Sequence, residues 1–286
     1  MFLELKDTTL YYEEFGAGNR YILSSMQHLD PDRKGWPYDL AEEGYHVYAI
    51  QMRGYGQSAH VEEGYGESWY DVWADDVADF AAAKGIRRFL YTGASDGGGV
   101  GWHLCLRHPE LLIAFVGLAA GPHSRSIGNS SPSRKYTIDA VGSKAAMEQL
   151  ARYHRQRILY FSQKFADDPE LKEEFLQKAE KFYDMKIQMT PEEMKIQPGI
   201  TLPWLKTDEE VLEALSSIHF PVLLLVGIKD AMVPIGKTIQ PIAVIENAKA
   251  VFYQEANHLL YYGRRNDVRR EIAAFAAEVF SKEESQ

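Results

Sequence analysis

Short apolar or alternating stretches, each bounded by turn residues, recur through the first 120 positions of the chain. Stretches of this kind are typical of strands, and we predict six of them, at residues 2–6, 9–15, 21–24, 46–52, 88–92 and 111–119. Segments of helical length and period lie between the later ones, at residues 39–43, 68–83 and 100–107. The alternation predicts an α/β protein with a mostly parallel central sheet flanked by helices.

The same rhythm returns near the end of the chain. Residues 221–226 and 249–254 are predicted strands, and an amphipathic helix is predicted at 267–280. Between residues 122 and 217 the apolar positions recur at helical spacing instead. We therefore predict a core built from residues 1–121 and 218–286, with residues 122–217 inserted as an all-helical cap.

The composition limits the kinds of molecule that the protein could bind. The 286 residues carry 31 Lys and Arg against 41 Asp and Glu, a net charge of -10, which would repel nucleic acid. A lone cysteine forms neither an internal disulfide nor a multi-thiolate metal site. No stretch approaches the roughly 20 apolar residues of a membrane span, and the first residues do not resemble a signal peptide. We expect a cytoplasmic protein without a membrane or nucleic-acid partner, either a monomer or a homodimer.

A candidate nucleophile follows the strand predicted at residues 88–92. Gly93-Ala94-Ser95-Asp96-Gly97 matches G-x-S-x-G, and a helical segment comes after it. A sharp strand-to-helix turn of this type holds a serine oxygen clear of the backbone, and its glycines avoid collisions with neighbouring chain. A glycine-rich turn that only starts a helix, or binds a phosphate there, would look similar. The motif alone leaves both interpretations open.

An acid and a histidine follow two later strands. Asp230 comes four residues after the strand that ends at Val226, and His258 lies just beyond the strand at 249–254. Because the carboxyl ends of parallel strands meet at one edge of a sheet, Ser95, Asp230 and His258 are predicted to converge there. Their order along the chain, serine then acid then histidine, is that of one known type of catalytic triad.

Further motifs give the sequence a family resemblance. Residues 53–58 read R-G-Y-G-Q-S, and residues 107–110 read R-H-P-E after the candidate elbow. Together with Gly227-x-x-Asp230 and Asn257-His258, these motifs are similar to those of the α/β-hydrolase fold proteins that carry a helical cap. The resemblance runs through nearly the whole chain outside the cap. It implies the α/β-hydrolase fold and a serine hydrolase activity.

The turn contains a second candidate nucleophile, because Asp96 also lies between small residues. An aspartate nucleophile would imply an epoxide hydrolase or a dehalogenase. In the family the nucleophile usually precedes the proline at the end of the next helix by 14 positions, and Pro109 minus 14 is Ser95. We therefore predict Ser95 as the nucleophile, with the backbone N–H of Asp96 as one donor of the oxyanion hole.

The resemblance also locates the second oxyanion donor, in the turn after the third strand. Relatives carry His-Gly there, whereas this chain has Ser24-Ser25 followed by Met26, and the backbone N–H of Met26 is our candidate. The acid that often precedes the R-G-x-G-x-S motif is replaced by Gln51. Both departures lie next to the predicted site.

These features predict a carboxylesterase-like serine hydrolase acting on an ester or related acyl compound of small to medium size. The chemistry needs no metal or organic cofactor, and we expect none. His123 and Arg125, at the predicted start of the cap, are candidate substrate-binding residues. The alternatives within the fold are an Asp96-dependent epoxide hydrolase, a C–C bond hydrolase, a lactonase, a thioesterase and an aminopeptidase. A hydrolase-like receptor for a small molecule is the alternative without catalysis.

Overall fold

The computed structural model describes residues 1–122 apart from 31 and 34, residues 198–285, and isolated positions between 125 and 196. Within these residues one sheet has eight strands: β1 (Phe2–Glu4), β2 (Thr9–Phe15), β3 (Tyr21–Met26), β4 (His46–Gln51), β5 (Phe89–Ala94), β6 (Leu112–Leu118), β7 (Val222–Gly227) and β8 (Ala248–Tyr253). Every predicted strand is therefore confirmed, with ends that differ by at most two residues.

The strand order across the sheet is β1-β2-β4-β3-β5-β6-β7-β8. In this order the six strands from β4 to β8, which include β3, pair in parallel. By contrast, β1 pairs antiparallel with β2, and β2 pairs antiparallel with β4. The prediction of a mostly parallel sheet is confirmed. Since β3, β5, β6, β7 and β8 run the same way, the residues that follow them meet at one edge of the sheet.

Seven α-helices are described: α1 (Trp36–Glu42), α2 (Trp69–Ala83), α3 (Asp96–Arg107), α4 (Asp208–Ser216), α5 (Gly236–Val244), α6 (Leu260–Gly263) and α7 (Arg265–Glu283). Short 3₁₀ turns occur at Gly66–Ser68 and Pro109–Leu111. Among the described residues, we find no helix with the length and apolar character to cross a bilayer.

The helices cover both faces of the sheet, and the alternation of side chains along each strand supplies both cores. In β7, Val222, Leu224 and Val226 face the core formed with α2 and α3. Leu223 and Leu225 face the opposite core, which includes side chains of α1 and α7. A fully buried parallel strand has apolar residues on both faces, which explains the unbroken Val-Leu-Leu-Leu-Val run.

The segment between β6 and β7 contains the predicted cap. Most of residues 122–217 lie outside the described residues, and the cap and its boundaries stay a prediction. Near its end, α4 begins with a capping box in which Thr207 accepts from the N–H of Glu210 at 3.1 Å. Val211 and Leu215 of α4 are buried in the core shared with α2 and α3.

Candidate active site

The turn between β5 and α3 consists of Ser95, in an unusual backbone conformation. Its φ is 52° and its ψ is -115°, a combination that residues with a Cβ rarely adopt. The turn is fixed by two hydrogen bonds, from Ser95 N to the carbonyl of Leu118 and from Gly99 N to the carbonyl of Ser95, both 3.0 Å. This is the strained strand-to-helix turn that the G-x-S-x-G motif predicts.

Close approach of the backbone explains the flanking glycines. A Cβ on Gly93 would lie 2.3 Å from the carbonyl carbon of Gly97, and a Cβ on Gly97 would lie 2.4 Å from the carbonyl oxygen of Ser25. Neither distance is compatible with a side chain. The second contact also brings the end of β3 against the Ser95 turn.

Asp230 lies in the turn after β7, with its side chain buried. The turn is closed by a bond from Asp230 N to the carbonyl of Gly227 at 3.0 Å. One carboxylate oxygen, Oδ1, accepts from the backbone N–H groups of Met232 at 2.7 Å and Val233 at 2.9 Å. Because only 1% of the side chain is exposed, these backbone donors hold the carboxylate in a single orientation.

His258 joins the acid to the serine. Its Nδ1 lies 2.9 Å from Asp230 Oδ2, and its Nε2 lies 2.9 Å from Ser95 Oγ. The loops that carry Asp230 and His258 are joined by a hydrogen bond from Lys229 N to the carbonyl of Ala256 at 2.8 Å. The three residues that the sequence predicts to converge are thus in contact.

The hydrogen-bond pattern assigns the tautomer of His258. An ionised Asp230 only accepts, so Nδ1 carries the proton and Nε2 is left to accept from the hydroxyl of Ser95. In this arrangement the imidazole can take the serine proton as the oxygen attacks a carbon atom. The site has the groups required for nucleophilic acyl transfer.

The side chain of Asp96 belongs to a polar cluster that we did not predict from sequence. Its Oδ1 accepts from the hydroxyl of Tyr70 at 2.8 Å, and its Oδ2 accepts from Nε2 of Gln27 at 2.6 Å. The same nitrogen of Gln27 lies 3.2 Å from the hydroxyl of Tyr55. Gln27 directly follows Met26 in sequence, which could have suggested its place, but no sequence signal brings Tyr70 to this site.

The surroundings of the cluster also determine the protonation state of Tyr55. Complete burial raises the pKa of Tyr55 well above its usual range, and the negative charge of Asp96 acts in the same direction. Tyr55 therefore stays protonated and neutral at physiological pH, and its hydroxyl is a lasting hydrogen-bond partner.

The two predicted oxyanion donors lie on neighbouring parts of the backbone. Asp96 is the first residue of α3, where N–H groups have no partner within the helix. Met26 is the last residue of β3. The contact of Gly97 with Ser25 brings this strand end next to Ser95. The role of the Asp96 N–H as an oxyanion donor stays a prediction.

The pairing of β3 with β4 decides the direction of the Met26 N–H. Met26 pairs with Gln51 of β4 and accepts at its carbonyl from Met52 N at 2.8 Å. In a parallel ladder this pairing directs the N–H of Met26 to the carbonyl of Ile50 on β4, on the opposite side of β3 from β5 and Ser95. The prediction of Met26 as an oxyanion donor is therefore wrong, and the alternation along the strand leaves the next N–H, that of Gln27, on the side of β5.

The two predicted substrate-binding residues have different outcomes. His123 lies outside the described residues. Arg125 donates from Nε to the carbonyl of Leu205 at 2.9 Å and from a terminal nitrogen to the carbonyls of Thr201, at 2.9 Å, and Leu202. Its backbone N–H donates to Asp208. These contacts anchor residues 201–208, and a role of Arg125 in substrate binding stays a prediction.

Comparison with known proteins identifies the family. A family model described as serine aminopeptidase, S33, matches residues 36–264, which include the Ser95 turn and both later loops. The chain belongs to this family of α/β-hydrolases. The resemblance stated from the motifs is confirmed, and this α/β-hydrolase has the fold that the motifs imply.

Relatives and solved structures match this α/β-hydrolase over almost its full length. The AB hydrolase superfamily protein YisY of Bacillus subtilis (strain 168) is 25% identical over 287 residues, covering 94% of this chain and 95% of YisY. The pimeloyl-acyl-carrier-protein methyl ester esterase of Vibrio atlanticus (strain LGP32) is 22% identical, covering 94% and 98%. The esterase RhEst1 from Rhodococcus sp. ECU1013 superposes with a TM-score of 0.73 at 20% identity, covering 97% and 98%.

Other similar proteins have names that describe different reactions. They include an epoxide hydrolase, an enol-lactonase and a meta-cleavage product hydrolase. One fold therefore supports several kinds of bond cleavage, and the reaction has to be argued from the site.

Proposed function

We propose that the protein is a serine hydrolase that cleaves a carboxylic ester, or a related acyl compound of small to medium size, through an acyl-enzyme on Ser95. The observation that carries this proposal is the continuous chain of hydrogen bonds from Ser95 Oγ to His258 and from His258 to Asp230, each 2.9 Å. The esterases among its relatives support the choice of an ester substrate.

The first half of the reaction transfers the acyl group to the enzyme. Ser95 Oγ attacks the substrate carbonyl carbon while its proton moves to His258 Nε2, and Asp230 stabilises the imidazolium that forms. The carbonyl oxygen becomes an oxyanion, which the N–H groups of Asp96 and Gln27 would bind. The intermediate then collapses, the C–O bond to the leaving alcohol breaks, and His258 returns its proton to that alcohol.

The second half releases the acid. A water molecule gives a proton to His258 Nε2 and adds to the acyl carbon, forming a second oxyanion in the same position. Collapse breaks the bond to Ser95 Oγ, which regains its proton from His258. The products are the carboxylic acid and the free enzyme, with no external electron donor or acceptor required.

The contacts of Asp96 favour this mechanism over an aspartate nucleophile. Both of its carboxylate oxygens already accept hydrogen bonds, from Tyr70 and Gln27. His258 bonds to Ser95 instead. An attack on an epoxide by either oxygen would therefore compete with the hydrogen bond that this oxygen accepts.

Labelling with a fluorophosphonate, followed by peptide mapping, tests the proposal. We expect a covalent adduct on Ser95 in the wild type and none in Ser95→Ala. His258→Ala should react on the order of 1,000-fold more slowly, because the general base is lost. His219→Ala is the matched control, since the side chain of His219 is 77% exposed and lies before β7, at the opposite end of that strand from Asp230, and it should react at the wild-type rate.

Activity on a panel of esters, lactones, thioesters and vinylogous diketones would then define the substrate class. Ester hydrolysis that disappears in Ser95→Ala would support the proposal. An unlabelled Ser95 in folded wild-type protein, or turnover of an epoxide that survives Ser95→Ala, would contradict it.

A further inference from the structure

The turn after β3 is held by side chains instead of by the His-Gly sequence of the family. Gln51 Nε2 lies 3.2 Å from the carbonyl oxygen of Gln27, and Gln51 Oε1 accepts from Gln57 N at 2.7 Å. The preceding carbonyl, that of Met26, accepts from Met52 N at 2.8 Å. The residue that replaces the usual acid before R-G-x-G-x-S is therefore an amide that bridges two loops.

The side chain of Gln27 fixes the same turn from the direction of the nucleophile. Its amide nitrogen has two hydrogens, and it lies 2.6 Å from Asp96 Oδ2 and 3.2 Å from the hydroxyl of Tyr55. The contact with Asp96 is short and charge-assisted, a type of hydrogen bond about twice as strong as one between neutral groups. Its loss would free the Gln27 side chain from the Ser95 turn.

Asp96 is itself held rigidly. It follows Ser95 in the chain and begins α3, and its second oxygen accepts from Tyr70, a residue that is 1% exposed. Tyr70 belongs to α2 and packs in the core. The carboxylate thus links a rigid helix to the turn that contains Met26 and Gln27.

We propose that Asp96 is a positioning residue whose carboxylate, by accepting from the side chain of Gln27, sets the distance between the backbone N–H of Gln27 and Ser95. The proposal rests on the serine hydrolase function above. Asp96 contributes its own N–H to one side of the oxyanion hole, and its side chain holds the turn that supplies the other side. Asp96 then fixes the positions of both oxyanion donors, and the turn does not need the glycine that the family has there.

Gln27→Met tests the link, because methionine keeps the length of the side chain and cannot donate. We expect kcat on a p-nitrophenyl ester to fall roughly 10- to 100-fold, with KM changed less than threefold, since an oxyanion donor acts on the transition state and a displaced one is weakened. Affinity for a boronic acid, which forms a tetrahedral adduct on the serine, should fall by a similar factor. Tyr70→Phe is the matched control, because it removes the other bond to Asp96 and leaves the bond from Gln27, and its kcat should fall less than in Gln27→Met.

Gln27→Glu gives a second test, based on pH. At pH 8 two carboxylates would face each other and the turn would be pushed away from Asp96. At lower pH the pair can share one proton, because like charges raise the pKa of one member, and the protonated acid donates to the other. The ratio of variant to wild-type kcat should therefore rise as pH falls from 8 to 6.

The outcomes separate this proposal from the function on which it rests. If the wild type fails to label on Ser95, the serine hydrolase proposal itself is wrong. If the wild type labels but Gln27→Met keeps wild-type kcat and boronate affinity, only the positioning proposal is overturned. A kcat loss in Tyr70→Phe equal to that in Gln27→Met, or a Gln27→Glu ratio that is flat with pH, also overturns it, because either result assigns the effect to general damage.

Discussion

The carboxylate of Asp230 accepts three hydrogen bonds, and two of them come from backbone N–H groups that cannot rotate away. The third comes from His258 Nδ1. The acid of the triad is therefore fixed by the turn after β7 before any substrate arrives. Its role is to hold one tautomer of the imidazole.

Asp230→Asn tests that role. The Oδ1 of asparagine can still accept from Met232 and Val233, which leaves an NH₂ group facing His258 Nδ1. The imidazole then accepts at Nδ1 and carries its proton on Nε2, where it cannot receive the proton of Ser95. We expect kcat to fall on the order of 10⁴-fold.

Thermal melting in parallel provides the control. The midpoint of Asp230→Asn should stay within a few degrees of the wild type, because the backbone bonds survive. A variant that melts normally and retains more than a tenth of wild-type kcat would be inconsistent with an orienting role for the acid.

At the scale of elements, His103 connects α3 to the segment before α4. Its Nε2 accepts from Leu202 N at 2.8 Å, and its Nδ1 lies 2.9 Å from Asp71 Oδ1 on α2. Acceptance at Nε2 requires the neutral imidazole. Burial lowers the pKa of His103 below its ordinary value of 6.5, although Asp71 acts in the opposite direction.

This contact makes stability depend on pH. A histidine whose pKa is lowered by folding binds its proton more readily when unfolded, so acid favours unfolding. The contribution is complete above about pH 6.5 and is lost as pH falls from there toward the folded pKa. We expect the melting midpoint of the wild type to fall between pH 7 and pH 5.

His103→Gln isolates the effect, because the glutamine oxygen can accept from Leu202 N and cannot be protonated. The variant should melt a few degrees lower at pH 7 and lose less stability between pH 7 and pH 5 than the wild type does. His219→Gln, at an exposed position, should follow the wild-type curve. Parallel curves for wild type and His103→Gln would exclude His103 as the source.

The elements differ in how well sequence predicts them. Strands were predicted within one or two residues because their apolar runs are bounded by turn residues. The start of α3 was predicted at Val100, four residues late, because the three glycines after Asp96 have low helix propensity. The helix α5 was not predicted, because Pro241 lies inside it and proline normally ends a helix.

At the scale of the whole molecule, the last helix is tied to the first. Arg265 of α7 binds Asp39 of α1 with two bonds, from Nε at 2.9 Å and from a terminal nitrogen at 2.6 Å. The Asp39 side chain is 1% exposed. By contrast, Arg20 pairs with Glu284 at the surface, with both side chains close to half exposed.

Removing these pairs should therefore have unequal effects. Arg265→Met leaves a buried carboxylate with lost donors, and we expect the free energy of unfolding to fall by about 3 kcal/mol. Arg20→Met should not shift the midpoint measurably, because exposed pairs contribute little. Urea unfolding of both variants checks the contrast, which equal losses would refute.

The catalytic residues are easier to predict from sequence than the residues that hold them in position. Ser95, Asp230 and His258 each follow a strand whose direction the alternating pattern predicts, so sheet geometry brings them together. Contacts such as that of Gln27 with Asp96 join residues 69 positions apart through side-chain direction alone. No period or motif encodes such a contact, which requires the packed structure.

The backbone of Ser95 has a consequence for how activity and folding relate. Its left-handed conformation costs of the order of 1–3 kcal/mol for any residue with a Cβ, and glycine would adopt it without that cost. The substitution Ser95→Gly would thus remove the nucleophile and also remove this backbone strain from the folded protein. Stability alone would favour glycine at position 95, whereas the proposed catalysis requires serine.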